Sequence, residues 1–195
     1  MSISYPLVAP TDTLGIAQIE LSAQNAIAVS RSPFTFATQV HAYPGQAWVA
    51  DVTVARQRKE FAEPWVAMLT ALRGQFGTFL LGDPNAVNPR GTSTSATVSG
   101  QSGDSSLTVS MSGSLLAGDY IQLGSGPNAT LHKVLVDQSG SGTLEVWPAL
   151  RKNRVDVNAT LINPRGVFRL SENSVSWSID SNNAYNINFQ AIEAI

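Results

Sequence analysis

The chain has 195 residues and a formal net charge of −2, from 12 basic and 14 acidic side chains. Charged residues make up 13% of it, about half of the usual ~25%, so electrostatic attraction to nucleic acid or to an anionic membrane is not expected to dominate its binding. The 43% of apolar residues can form a buried core, and the absence of cysteine excludes disulfides and thiolate metal sites. A surface so poor in charge suggests either low solubility of the chain alone or a surface that faces other proteins.

The first ten residues show no targeting signal. Pro6 and Pro10 interrupt them and no basic residue is present. No apolar run reaches the ~18 residues that would predict a transmembrane helix. We therefore expect no membrane insertion.

The region before residue 60 is predicted to form strands. Residues 16–29 suit a hairpin or one long kinked strand, and residues 34–40 alternate with Phe34, Phe36 and Val40 in phase. Tyr43-Pro44-Gly45 is a turn signal, and a second strand with Trp48, Val52 and Val54 on one face follows it. The pattern predicts a hairpin that turns at residues 43–45 and buries its aromatic face.

One amphipathic helix follows. Its apolar residues recur at helical spacing, with Pro64 near the start and Gly74 at a C′ position. A helix of this length is marginal alone, so we expect it to cover a sheet. The residues predicted to form its core are Phe61, Trp65, Met68, Leu69 and Leu72, with Phe76 continuing the stripe.

The composition changes after a predicted strand at residues 76–81 and a break at residues 88–91. Residues 92–142 hold 12 serines and only four charged residues. Short strand candidates recur there between glycine-rich turns, at residues 107–109, 120–123, 131–136 and 144–147. This spacing is typical of a small barrel or sandwich.

The C-terminal residues return to longer alternating strands, at 167–170, 174–179 and 185–189, with a hairpin turn at residues 180–183. These strands are too few to be stable alone. We therefore predict a mainly β protein in which residues 1–91 and 164–195 form one discontinuous β-sandwich with a helix. Residues 92–163 would form an inserted all-β domain the size of a five-stranded barrel.

A catalytic or metal site finds little support in the sequence. The two histidines, His41 and His132, lie in different predicted modules, and a zinc site needs three or four ligands at short spacing. A glycosidase pair among the scattered acids Asp104, Asp119, Asp137 and Glu145 stays open, since such carboxylates meet only in space. We expect no enzyme activity, no metal and no cofactor.

Two basic clusters remain, at residues 56–59 and 151–154. No stacking aromatic residue interleaves with either cluster, so specific nucleic-acid binding is not favoured. They suit solvated loops or ion pairs between subunits. The candidate inter-subunit residues are Arg56, Arg58, Arg151 and Arg154.

Two segments of the chain resemble the distal tail proteins of long-tailed phages and prophages. The first is FAEPWVAMLTALRG at residues 61–74, followed by GTFLLGDP at residues 77–84. The second comprises WPALR at residues 147–151, GVFRL at residues 166–170 and the ending FQAIEA at residues 189–194. The resemblance covers most of both flanks and the exit of the predicted insert.

The resemblance implies a structural virion protein rather than an enzyme. Distal tail proteins have a β-sandwich belt domain with a helix, which self-associates into a ring, a hexamer rather than a trimer, between the tail tube and the tip or hub proteins. Some carry a second domain that is similar to an oligonucleotide/oligosaccharide-binding (OB) barrel. The implied location is the phage tail tip, after assembly in the host cytoplasm.

Two other functions remain as alternatives. The chain could bind carbohydrate or a host surface through the inserted domain, or it could be a cell-wall hydrolase. The insert has only Tyr120 and Trp147 as large rings, so the sequence favours a structural role over adhesion.

Overall fold

The computed structural model describes residues 3–10, 13 and 15–195, and in these residues the protein is mainly β with one α-helix. The first strands and the helix are β1 (Ile16–Arg31), β2 (Thr38–Val54), β3 (Gln57–Arg58), α1 (Lys59–Ala71) and β4 (Phe79–Leu81). Next come β5 (Ala96–Gly100), β6 (Ser106–Met111), β7 (Ser114–Leu115), β8 (Tyr120–Leu123), β9 (Thr130–Val134), β10 (Gln138–Ser139) and β11 (Gly142–Trp147). The last are β12 (Arg154–Thr160), β13 (Gly166–Leu170), β14 (Trp177–Ile179) and β15 (Ala184–Glu193).

Strands from both ends of the chain build one sheet, in the order β1-β2-β15-β13-β4. The short strands β3 and β14 also pair with β15. The prediction that the C-terminal strands complete the N-terminal sheet is therefore confirmed. The turn predicted at residues 180–183 is confirmed too: the Asp180 carboxylate accepts hydrogen bonds from the backbone N–H groups of Asn182 and Ala184, at 2.8 and 2.9 Å.

β1 and β2 form a long antiparallel hairpin whose turn lies at residues 32–37. The hairpin turn predicted at Tyr43-Pro44-Gly45 is wrong. Those three residues form a bulge within β2, because Asn25 pairs with Gln46 while Ile27 pairs with Ala42. β1 itself is one long strand with two register shifts, as the kinked-strand alternative predicted.

Of the strand predicted at residues 34–40, residues 38–40 are confirmed as the start of β2, whereas residues 34–37 belong to the turn that closes the hairpin. Ser32 stabilises the loop: its N–H donates to the carbonyl of Ala37 and its carbonyl accepts from the N–H of Phe36, both at 2.9 Å. Phe36 has a φ of 58°, a left-handed conformation that a regular strand does not contain. The alternation of Phe34 and Phe36 is typical of a strand, but these two residues lie in the turn.

Helix α1 packs against β3 and β15. Trp65, Met68 and Leu69 are buried, and so is Leu72 at the C-cap. Phe61 differs from the prediction, because it is 40% exposed. The C′ position is Arg73 rather than Gly74, and both residues have positive φ, at 54° and 67°.

A closed barrel in the order β11-β6-β5-β12-β8-β9 occupies residues 96–160, with its own apolar core. Strands near four of the predicted positions are present. Strands β5 and β12 escaped prediction, since the sequence ATVSG of β5 is small and polar and Val155 of β12 is 78% exposed. Arg154, predicted in a loop, begins β12.

The barrel and the sheet share a packed junction. Tyr120 and Leu131 of the barrel belong to the same apolar cluster as the sheet core. The indole N–H of Trp48 in β2 donates to the carbonyl of Leu131 at 3.0 Å, and the ring of Trp48 packs edge-on against that of Trp147, with the ring centroids 4.5 Å apart.

Candidate functional site

The two histidines lie in different parts of the fold, one in the sheet and one in the barrel. His41 is exposed in β2, where its ring packs edge-on against Tyr43, and His132 is fully buried in barrel strand β9. Among the described residues, no cluster of three or more His, Cys, Asp or Glu side chains is arranged to hold a metal ion.

The buried ring of His132 has a structural arrangement. Its Nδ1 lies 2.7 Å from the carbonyl oxygen of Pro148, so Nδ1 carries the proton and donates. Nε2 lies 2.9 Å from the hydroxyl of Thr130. Burial lowers the pKa of His132 to about 4, and the nearby charges of Arg151 and Arg154 act in the same direction. His132 is therefore neutral at physiological pH.

Three of the four candidate glycosidase carboxylates bind backbone N–H groups of turns. Asp119, which is buried, accepts from Arg90, Gly91 and Leu116 at 2.7, 3.1 and 2.8 Å. Asp104 accepts from Gln101 and Asp137 from Ala117, each at 2.7 Å. The three carboxylates therefore stabilise the backbone of loops.

The arginines predicted for contacts between subunits lie at different places. Arg56 forms an ion pair with Asp180, and Arg58 is exposed at the end of β3. Arg154 donates to the carbonyls of Leu123 and Asn128, at 3.2 and 2.9 Å.

Arg151 lies at the junction of the barrel and the sheet. Its guanidinium is 2.9 Å from the carboxylate of Glu193, whose side chain is 4% exposed. The same carboxylate accepts from the backbone N–H of Trp48 at 3.2 Å. Arg56, Arg151 and Arg154 thus all have partners within the chain, and their predicted role between subunits stays untested.

The two large rings of the predicted insert face the sheet. Tyr120 is buried, with its ring centroid 5.9 Å from that of Trp48. The indole N–H of Trp147 donates to the side-chain oxygen of Asn25 at 2.8 Å. The rings are therefore part of the junction, and this arrangement does not favour the sugar-binding alternative.

The most unusual surface is the distal half of the β1–β2 hairpin, residues 24–45, which we call the arm. Every residue of the arm is exposed except Ser32, which is half-buried. Arg31 is its only Lys, Arg, Asp or Glu, and its guanidinium lies over the Phe36 ring, 4.8 Å from the centroid. Because the arm carries so little charge, burying its surface against another molecule would cost little desolvation energy.

The two faces of the arm differ in character. Paired residues of an antiparallel ladder share a face. Val29 pairs with Val40 and Ile27 with Ala42, which makes the middle of one face apolar, and Arg31 with Thr38 follows on that face at the tip. The neighbouring pairs, Ser30 with Gln39 and Ala28 with His41, make the other face largely polar. We call them the apolar and the polar face of the arm.

The apolar face has the same phase as the β1 residues over the core. Ile19 and Leu21 pack against the main apolar cluster, and Ile27 and Val29 follow in the same alternation. One polar pair, Asn25 with Gln46, separates the two groups. No residue within 3–10, 13 and 15–195 covers this second half: Val29 and Val40 are 64% and 65% exposed, and Phe34 at the tip is 91% exposed.

The apolar area of the arm approaches that of a protein interface. The exposed apolar side chains present on the order of 600 Å² of surface, a large part of the ~800 Å² that each partner buries in a standard complex. Exposed apolar area of this extent typically marks an interaction site. The large apolar residues involved are Ile27, Val29, Phe34, Phe36 and Val40. Tyr43 instead packs on His41 of the polar face.

The sequence contained a signal for this surface. A hairpin exposed to solvent is expected to carry few large apolar side chains, but this one carries Val29, Phe34, Phe36 and Val40. The sequence prediction accounted for them by placing them on a buried face. The alternative, a face that stays open for another molecule, was missed.

No helix in the described ranges combines the length and the apolar character needed to cross a lipid bilayer. Comparison with models of known protein families finds none that matches this chain. Comparison with curated proteins finds no similar protein either.

Proposed function

We propose that this chain is a structural subunit of a phage-like tail tip, which assembles into a ring through its arm. The observation that carries this proposal is the uncovered apolar face of the arm. A face that follows the phase of the core and that no described residue of its own chain covers is expected to gain a cover from another molecule. In a repetitive assembly that molecule is a second copy.

The motifs at residues 61–84 and 147–194 connect this surface to a known assembly, because they resemble the distal tail proteins. The mainly β fold, with one helix on the terminal sheet and a barrel from the middle of the chain, is compatible with that family. We propose that residues 1–91 and 164–195 form its belt-type β-sandwich, and that residues 92–163 form the OB-like domain.

The proposed mechanism is geometric rather than catalytic. An interface between two different surfaces of one chain, repeated around an axis, forms a ring if the rotation closes. We propose a hexamer that connects the tail tube to the tip or hub proteins. In this role the charge-poor surface lowers the cost of burying large interfaces.

The mass of the full-length protein in solution tests this proposal. Native mass spectrometry and light scattering at micromolar concentration are expected to give a species of about six copies, and electron-microscopy class averages are expected to show rings. A monomer at every concentration, without ring-shaped particles, would contradict the proposed function.

A further inference from the structure

A groove beside β1 lies on the same side of the hairpin as the apolar face of the arm, at its opposite end. It has a volume of about 520 Å³ and is lined by Ile16, Ile19 and Leu21 of β1, by Asp83 and Pro84 of the following loop, and by Tyr120 of the barrel. The three β1 side chains are half-buried, so the main core is incompletely covered here.

We propose that this groove receives the tip of the arm from a second copy of the chain. This inference rests on the proposed function, which it deepens by assigning both surfaces of the interface. The occupant is Phe34 together with Phe36, and the floor of the groove is the apolar row of β1.

The groove has a mixed lining that suits the mixed arm tip. The two phenyl rings are the most exposed large apolar groups at the tip, and the groove offers them an aliphatic floor beside Tyr120. Gln18, Asp83 and Asn85 make the rest of its lining polar. Complete burial of a phenylalanine side chain is favourable by about 2 kcal/mol, and seating it on the aliphatic floor of this open groove gains a part of that.

Charge also matches between the two surfaces. Arg31 is the only charged side chain of the arm outside histidine, and Asp83 is the charged side chain that lines the groove among the residues that the structure describes. An arm tip seated in the groove would bring the guanidinium of one copy towards the carboxylate of the next.

The chain's own tip cannot fill its own groove. About ten residues of β1 separate Leu21 from Arg31, and at roughly 3.3 Å per residue this segment holds the tip about 30 Å away. The occupant therefore comes from another molecule. Because tip and groove are different surfaces, the contact is head-to-tail and can close into a ring.

Cysteine cross-linking of the full-length protein tests the proposal, since the native chain has no cysteine. In the variant T35C/N85C, Thr35 lies between the two phenylalanines and Asn85 lines the groove. With a short bismaleimide linker we expect a ladder of covalent oligomers. The control Q39C/N85C carries its arm cysteine on the polar face and should give at least fivefold less product.

A charge exchange gives a second readout. Arg31→Glu is expected to weaken association about fivefold, and adding Asp83→Lys is expected to restore it. The control Glu20→Lys makes the same change in net charge at an exposed β1 residue outside the groove lining, and it should not restore association.

The outcomes separate this proposal from the proposed function. If rings form but T35C/N85C and Q39C/N85C cross-link equally, or not at all, and Asp83→Lys gives no rescue, the groove is not the receptor. If the native chain forms no oligomer, the proposed function itself fails, and this inference with it.

Discussion

The imidazole of His132 links the stability of the barrel to pH. Burial lowers its folded-state pKa to about 4 from an ordinary value of 6.5, so the unfolded chain binds the proton more tightly. The stabilisation is present above pH 6.5 and is lost as the pH falls towards 4. We expect this single group to reduce the free energy of unfolding by about 3 kcal/mol across that window.

Urea denaturation of the native chain and of His132→Gln measures this effect. Glutamine does not titrate, so the variant should lose less stability on acidification than the native chain does. Equal losses in the two proteins would show that His132 does not carry the pH dependence.

Asp119 is a second residue whose role can be measured. Its buried carboxylate accepts three backbone N–H groups and so connects residues 90–91 to the turn at residue 116. Asp119→Asn brings an amide NH₂ against these donors, and we expect a loss of about 3 kcal/mol in the free energy of unfolding.

The matched control for Asp119 is Asp137→Asn. Asp137 is exposed and accepts one backbone N–H, from Ala117. Its replacement should cost about 1 kcal/mol or less. Chemical denaturation of both variants gives the comparison, and similar losses would contradict the role assigned to Asp119.

At the scale of the element, the two faces of the arm make a controlled experiment. Val29→Asp places a charge on the apolar face, and Ser30→Asp places the same charge on the polar face one residue away. Burying an unpaired carboxylate is costly, so we expect Val29→Asp to weaken association at least tenfold and Ser30→Asp to have little effect.

Native mass spectrometry measures the arm variants at several concentrations, and thermal denaturation checks their folding. Because both positions are exposed, each variant should keep the stability of the folded subunit to within about 0.5 kcal/mol. Equal dissociation by the two variants would show that the apolar face is not the contact surface.

An element could be predicted from the sequence when the residues that stabilise it lie close to it along the chain. The hairpin turn at Asp180 was predictable because its hydrogen bonds lie within the turn itself. Most of the helix core was predictable because its periodicity matches its burial. The groove at Asp83 was not predictable, because its walls come from β1, a later loop and the barrel.

The arm was misread for a related reason. Proline and glycine at residues 44–45 are typical of a turn, yet in β2 they occupy a bulge. The actual turn contains Phe34 and Phe36, whose alternation indicates a strand with a buried face. Hydrophobic patterning reports that a side chain needs cover, but not whether the same chain supplies it.

For the molecule as a whole, the ion pair of Arg151 and Glu193 joins the barrel to the sheet. Both partners are largely buried. Glu193→Gln leaves the guanidinium without its counter-charge, and we expect a loss of about 3 kcal/mol in the free energy of unfolding.

The pair of Arg56 and Asp180, in which the arginine is exposed and the carboxylate is half-buried, supplies the control for Glu193→Gln. The side chain of Arg56 is 56% exposed, and Arg56→Gln should cost less than about 1 kcal/mol. Differential scanning calorimetry distinguishes the two. If Arg56→Gln is as costly as Glu193→Gln, burial does not determine the contribution of the pair.

The bulge at Tyr43-Pro44-Gly45 has a consequence for the size of any closed assembly. Three residues of β2 stand opposite Ala26 alone, and such an insertion bends and twists the ribbon that carries it. In the proposed ring, each subunit would contact its neighbour at an inclination set by this bend. The number of protomers in a full turn follows from that inclination, so gaining or losing two amino acids here would change the circumference while leaving both contact surfaces intact.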